Sequence, residues 1–166
     1  MKKCLWILVL GLVLAITWGG EGFAQAKKEM TFSGTHYYSS TPKVFQLEPG
    51  RIIMQLEMLG VRVNDSGDGP FHGASVHIVF VSYRSKEYNG SRGYFTWTDK
   101  DGDKVIGELL DTPPGASSSP ARIIGGTGKY MGWQGTIEYT MQFPKPFPEG
   151  TSRGICREHI KLVIPQ

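Results

Sequence analysis

The stretch Ile123-Ile124-Gly125-Gly126-Thr127-Gly128-Lys129-Tyr130-Met131-Gly132-Trp133-Gln134-Gly135-Thr136 decides the fold. Its glycines recur where a sheet has to bend sharply, and it leads directly into alternation. Met131, Trp133, Ile137, Tyr139, Met141 and Phe143 fall on one face, and Gln134, Thr136, Glu138, Thr140 and Gln142 on the other. A period of two is the signature of a strand with one apolar face.

Working outward, the same period returns. In Arg51–Leu59, Ile52, Met54, Leu56 and Met58 oppose Gln55 and Glu57; in Arg157–Ile164, Ile160, Leu162 and Ile164 oppose Arg157, His159 and Lys161. Further strands are expected at Met30–Tyr38, Ala74–Arg84, Gly93–Thr98, Lys104–Leu110, Ala121–Ile124 and Gly132–Phe143. No long amphipathic helix is legible. Many short strands joined by Gly, Pro, Ser and Thr turns indicate a sandwich or a barrel. A sheet with one apolar face has to cover it, and closure does so while removing exposed edges. Three segments read as loops: Asn64 to Pro70, Thr112 to Pro120, and Phe143 to Gly154. Pro144, Pro146 and Pro148 stiffen the last of these, and Phe147 is placed to fold over a barrel mouth.

The N-terminus reads as a leader. Lys2 and Lys3 precede an apolar core from Leu5 to Trp18, and Ala24-Gln25-Ala26 is a small-x-small cleavage site. The apolar run is shorter than the roughly 20 residues of a bilayer span. Residues 1–26 are therefore expected to be a cleaved signal peptide, residues 27–166 a single β domain, and the protein periplasmic or secreted, with no membrane span after cleavage. The mature surface would be near-balanced in charge with no Lys/Arg cluster, which excludes a nucleic-acid footprint. Only Cys156 would remain after cleavage, so an internal disulfide is impossible and a buried thiol is expected.

The run Gly125-Gly126-Thr127-Gly128-Lys129-Tyr130-x-Gly132-x-x-Gly135 resembles the corresponding segment of the allene oxide cyclase-like and dirigent-like barrels. Two further features are similar: Gly93-Tyr94-Phe95-Thr96-Trp97-Thr98 leading into Asp99-Lys100-Asp101-Gly102-Asp103, and Pro49-Gly50-Arg51 at the entry of an early strand. The likeness covers roughly Pro49 to Phe143. It implies a single closed antiparallel eight-stranded barrel with a small apolar cavity, in a homodimer or homotrimer. It also implies a cofactor-free chemistry, since members include cyclases and proteins that steer the coupling of bound radicals. Plant cyclases use an acidic residue and an asparagine on the first strand. Met30-Thr31-Phe32-Ser33-Gly34-Thr35-His36-Tyr37-Tyr38 has neither, so no catalytic residue carries over.

The chemistry-bearing residues point the same way. Asp99 to Asp103 contains the Asp-Gly hairpin signal, and Lys104 stands where a calcium loop needs glycine. The glycine run lacks a phosphate-loop pattern and a following helix. His72 and His77 lie five apart, on opposite faces of a strand, and no Cys/His spacing of a zinc site exists. No metal site and no cofactor are expected. Cys156 with a histidine and an acid could form a nucleophile system only if the fold brings them together. What remains is a cavity lined from the strands, with Glu57, Tyr83, Tyr94, Trp97 and Tyr139 as candidate lining residues. Glu57 enters the cavity if its strand's apolar face packs outward; otherwise it is a solvated surface acid. Three functions are consistent with such a barrel: binding a small apolar or aromatic molecule, cyclising or isomerising one without a cofactor, or assembling as a filled structural oligomer.

Overall fold

A computed structural model describes residues 27–86, 89–113, 115–144 and 151–166. The leader and Phe147 lie outside the described residues. Nine strands follow in order: β1 (Lys27–Ser40), β2 (Lys43–Glu48), β3 (Arg51–Asn64), β4 (Ser75–Arg84), β5 (Asn89–Thr98), β6 (Lys104–Leu109), β7 (Ser119–Gly126), β8 (Gln134–Gln142) and β9 (Ser152–Pro165). Each pairing is antiparallel, and the sheet runs β1-β9-β8-β7-β6-β5-β4-β3. β1 then pairs with β3, from Gly34↔Asn64 to Ser40↔Met58, and closes an eight-stranded barrel. Among the described residues no helix is long and apolar enough to cross a membrane.

The closing seam passes over Gly60. A Cβ there would overlap the carbonyl oxygen of Tyr37 on β1, so the two backbones approach as only glycine allows. β2 stands outside the ring. It pairs only with the first part of β3, through a bulge between Gln46 and Glu48, and all six of its residues are exposed. Its apolar residues are split between the two faces, Val44 on one and Phe45 and Leu47 on the other, which is why periodicity passes over it.

The expected strand at Gly132–Phe143 begins later, at Gln134. A 3-10 turn (Gly128–Tyr130) precedes it, and Gly128 and Gly132 have φ of 52° and 78°. Those left-handed angles break an extended run. Met131 consequently points to solvent, while Tyr130 is buried in its place.

One end of the barrel is solid. Phe71, in the β3–β4 loop, packs on Trp97, Tyr130 and Trp133 with ring centroids 5.1, 4.9 and 5.7 Å away. Its own φ is 64°, rare for a bulky side chain. The loop is latched by Asn64, whose Nδ2 donates to the carbonyls of Asp68 and Pro70 at 2.6 and 2.8 Å. The neighbouring β5–β6 hairpin is tied down by Asp99. Its carboxylate accepts from the backbone N–H of Asp101 and Asp103 and from the Tyr130 hydroxyl, and it pairs with Lys129 Nζ at 2.6 Å. This is a structural turn, as the Asp-Gly signal indicates.

Candidate functional site: the barrel cavity

Strand parity decides what the interior sees. On β3 the even-numbered residues point inward: Leu56, Met58 and Arg62 are buried, while Glu57 and Leu59 are exposed. The apolar face is thus the core, and Glu57 is excluded from the cavity. It lies on the outer surface, where His77 Nε2 meets its Oε1 at 2.8 Å. Tyr83 and Tyr94 are also on outer faces, because their neighbours Ser82 and Phe95 are the inward residues of β4 and β5; Tyr94 is 61% exposed. Trp97 points inward but belongs to the aromatic plug. Of the five candidates only Tyr139 lines the cavity.

Above the plug the interior is hollow. A cavity of about 660 Å³ is lined by Met54, Leu56, Met58, Ile78, Phe80 and Leu109 among others. Its mouth lies at the opposite end, beside Pro42, Arg84, Ser117 and Ser152. Pockets of roughly 300–1,000 Å³ suit small organic ligands.

Four ionisable groups of the cavity wall, His36, Tyr38, Cys156 and Glu158, stand on β1 and β9, which pair side by side. His36 is opposite Cys156, and Tyr38 is opposite Gly154. The Tyr38 ring covers Gly154, where any Cβ would overlap the hydroxyl. Glu158 follows two residues after Cys156 on the same inward face, and His36 Nε2 stands 3.0 Å from its Oε2. Arg62, adjacent to His36 across the β1–β3 seam, donates from Nε to the same oxygen at 3.1 Å. His36, Cys156 and Glu158 offer three ligand or nucleophile atoms within 4.8 Å of one another, all buried and all at the cavity wall. The Cys–His–acid proximity that the sequence left open is therefore realised.

The electrostatics of this cluster follow from its dryness. Burial pushes the Cys156 thiol well up, and nearby Glu158 adds to the shift. Burial likewise raises the Tyr38 and Tyr139 phenols. Both are neutral donors at physiological pH, and Cys156 is a neutral thiol. Burial pulls the Arg62 guanidinium down from its ordinary value, while Glu158 opposes this. Two cavity residues hold unspent hydrogen-bonding capacity among the described residues: the Tyr38 hydroxyl and the His36 ring. The 3.0 Å approach of His36 to Glu158 is close enough for charge interaction but lies off the line of a hydrogen bond. Buried polar atoms without partners are uncommon in native proteins, and three of them, on His36 and Tyr38, stand at this cavity wall.

No family model matches the chain, and no curated protein matches it. Among solved structures, a pterocarpan synthase dirigent protein superposes with a TM-score of 0.54, over 86% of this chain and 93% of that one, at 14% sequence identity. The chain has the dirigent-like barrel fold. In this dirigent-like barrel the glycine run that carried the resemblance forms the β7–β8 corner, at the plugged end. The cavity cluster lies instead on β1 and β9. Histidine, cysteine and glutamate stand 120 or more positions apart from first to last, so spacing alone gives no signal for them. The usable signal was parity: Cys156 and Glu158 share the inward face with Ile160 and Leu162.

Proposed function

We propose that the protein binds one small, largely apolar or aromatic molecule inside the barrel, with a polar end directed at His36, Tyr38 and Glu158. The observation that carries this reading is the pairing of a largely apolar cavity of about 660 Å³ with buried hydrogen-bonding groups of His36 and Tyr38 that have no partner among the described residues. Apolar lining supplies affinity, and the few convergent polar groups fix orientation. The leader-like residues 1–26 support export to the periplasm or beyond. An outward stripe of Tyr37, Leu59, Val61, Val79, Val81 and Tyr94, each more than 40% exposed, supports self-association into a homodimer or homotrimer.

A second reading has its own support. His36 beside Glu158, with Tyr38 as a neutral donor, is a set able to move a proton on a bound molecule in a site shielded from water. The structural neighbour is named a synthase, and a cofactor-free cyclase or isomerase would use the same cavity.

The test combines native mass spectrometry of protein purified from an exporting host with titration by an apolar fluorescent dye. Ala121, buried on β7 at the cavity wall, is replaced by Trp to fill the space. Retained ligand or dye binding in the wild type, lost in a folded Ala121→Trp protein, is the expected result. Dye binding that is unchanged by Ala121→Trp sinks the interior site. Conversion of a bound ligand that stops in Glu158→Gln while binding persists would select the enzymatic reading.

A further inference from the structure

We propose that His36, Cys156 and Glu158 form a binding site for a single transition-metal cation of the zinc type at the base of the cavity. The three residues supply one nitrogen, one sulfur and one oxygen, the donor set that borderline cations such as Zn²⁺ and Co²⁺ accept. Metal–ligand bonds of about 2.0–2.3 Å place tetrahedral ligand atoms about 3.3–3.8 Å apart. His36 and Glu158 are already 3.0 Å apart, and all three donor atoms fall within 4.8 Å.

The independent mark of a ligand is His36. Its side chain is 2% exposed, yet neither ring nitrogen has a hydrogen-bond partner among the described residues. A buried imidazole in that state leaves a strong donor or acceptor unsatisfied. A cation on one nitrogen would satisfy it. The edge of the ring against Trp97, at a centroid distance of 5.6 Å and 85°, holds its orientation.

Arg62 is the apparent obstacle, because a guanidinium beside a cation site repels it. Its Nε contacts Oε2 of Glu158, the same oxygen that faces His36, and a carboxylate oxygen has a second lone pair to offer. The rest of the guanidinium lies over the rings of Phe32 and Trp97 at 5.2 and 5.0 Å and donates to the Asn64 side-chain oxygen. In a loaded site Arg62 would act as an outer partner that orients the carboxylate, a common arrangement around metal-bound groups. The bound charge would draw the proton from Cys156, as a coordinating metal does to a thiol. A neutral thiol that burial disfavours as a nucleophile is thereby usable as a ligand. Three protein ligands leave one coordination position, and the cavity lies on the side where it would open.

The test uses Co²⁺ and Zn²⁺ alone, with no organic ligand, so it is separate from the carrier proposal. The protein carries Cys4→Ser and no histidine tag, which leaves Cys156 as its single thiol. One Co²⁺ per chain is expected, with a sulfur-to-cobalt charge-transfer absorption displaced by one equivalent of Zn²⁺. Cys156→Ser should remove that absorption, and His36→Ala should weaken binding at least tenfold. If either variant fails to fold, the wild-type spectrum decides alone. No retained Co²⁺, or Co²⁺ bound without the thiolate absorption, overturns the site. So does an absorption that survives Cys156→Ser.

Discussion

Arg62 and Glu158, separated by 96 positions in the chain, meet at 3.1 Å in the interior, with side chains 0% and 5% exposed. Gly34 makes this possible, since a Cβ there would overlap the guanidinium. Removing one partner of such a pair leaves the other buried and uncompensated, at a cost of about 3–5 kcal/mol. Arg62→Ala is expected to lose that much in urea unfolding. Replacing both, as in Arg62→Met with Glu158→Leu, should recover most of it, because well-packed apolar residues often substitute for a buried pair without loss. A double variant as unstable as the single one would show that the cost is a packing cavity rather than a stranded charge.

Asp99 gives a pH prediction of definite sign. Its carboxyl is lowered to about 2, first by the hydrogen bond from Lys129, against the opposing effect of burial. An unfolded aspartate titrates near 3.9. A lowered folded-state value contributes stability that is fully present above about pH 4 and is lost as the pH falls through about 2. Wild-type protein should therefore lose melting temperature between pH 4 and pH 2 more steeply than Asp99→Asn. Parallel curves for the two proteins over that window would remove Asp99 from the acid response.

How much of this was legible in the sequence differs by residue. Period-two alternation in Arg51–Leu59 and Arg157–Ile164 reports a strand and its apolar face, and the structure buries that face in both. The strands followed from that patterning, and their closure into an eight-stranded barrel from the resemblance that the glycine run carries. Alternation cannot report sidedness by itself: Glu57, Tyr83 and Tyr94 sit on well-formed strands but face outward. β2 carries no alternation because neither face is covered. The cluster of His36, Cys156 and Glu158 depends on the first and last strands, β1 and β9, lying side by side, a long-range pairing that no local pattern reports.

The outward position of Glu57 has a direct consequence. Its side chain is 64% exposed, and its partner His77 is 48% exposed, so the pair is screened by water. Exposed pairs contribute between about 0 and 1 kcal/mol. Glu57→Gln is expected to shift unfolding free energy by less than about 0.5 kcal/mol and to leave dye binding in the cavity unchanged. A loss of binding in this variant would mean that the outer face of β3 communicates with the interior.

Gly107 and Gly125 lie on neighbouring strands β6 and β7, and neither has a left-handed φ. Their surroundings differ sharply. A Cβ on Gly107 would run into the Phe95 ring and stand 2.6 Å from the Arg122 carbonyl oxygen, whereas a Cβ on Gly125 meets nothing within 4 Å. Phe95 is itself 3% exposed and stacked on Trp97 at 4.9 Å, so it has little room to retreat. Overpacking a close-packed interior costs about 1–3 kcal/mol. Filling open space beside a strand costs little, and alanine reduces the freedom of the unfolded chain relative to glycine. Gly107→Ala is expected to lower the unfolding free energy measured in urea by an amount in that range, and Gly125→Ala to leave it level or raise it slightly. Equal effects at the two positions would mean that backbone freedom, rather than the Phe95 ring, sets the requirement for glycine at 107.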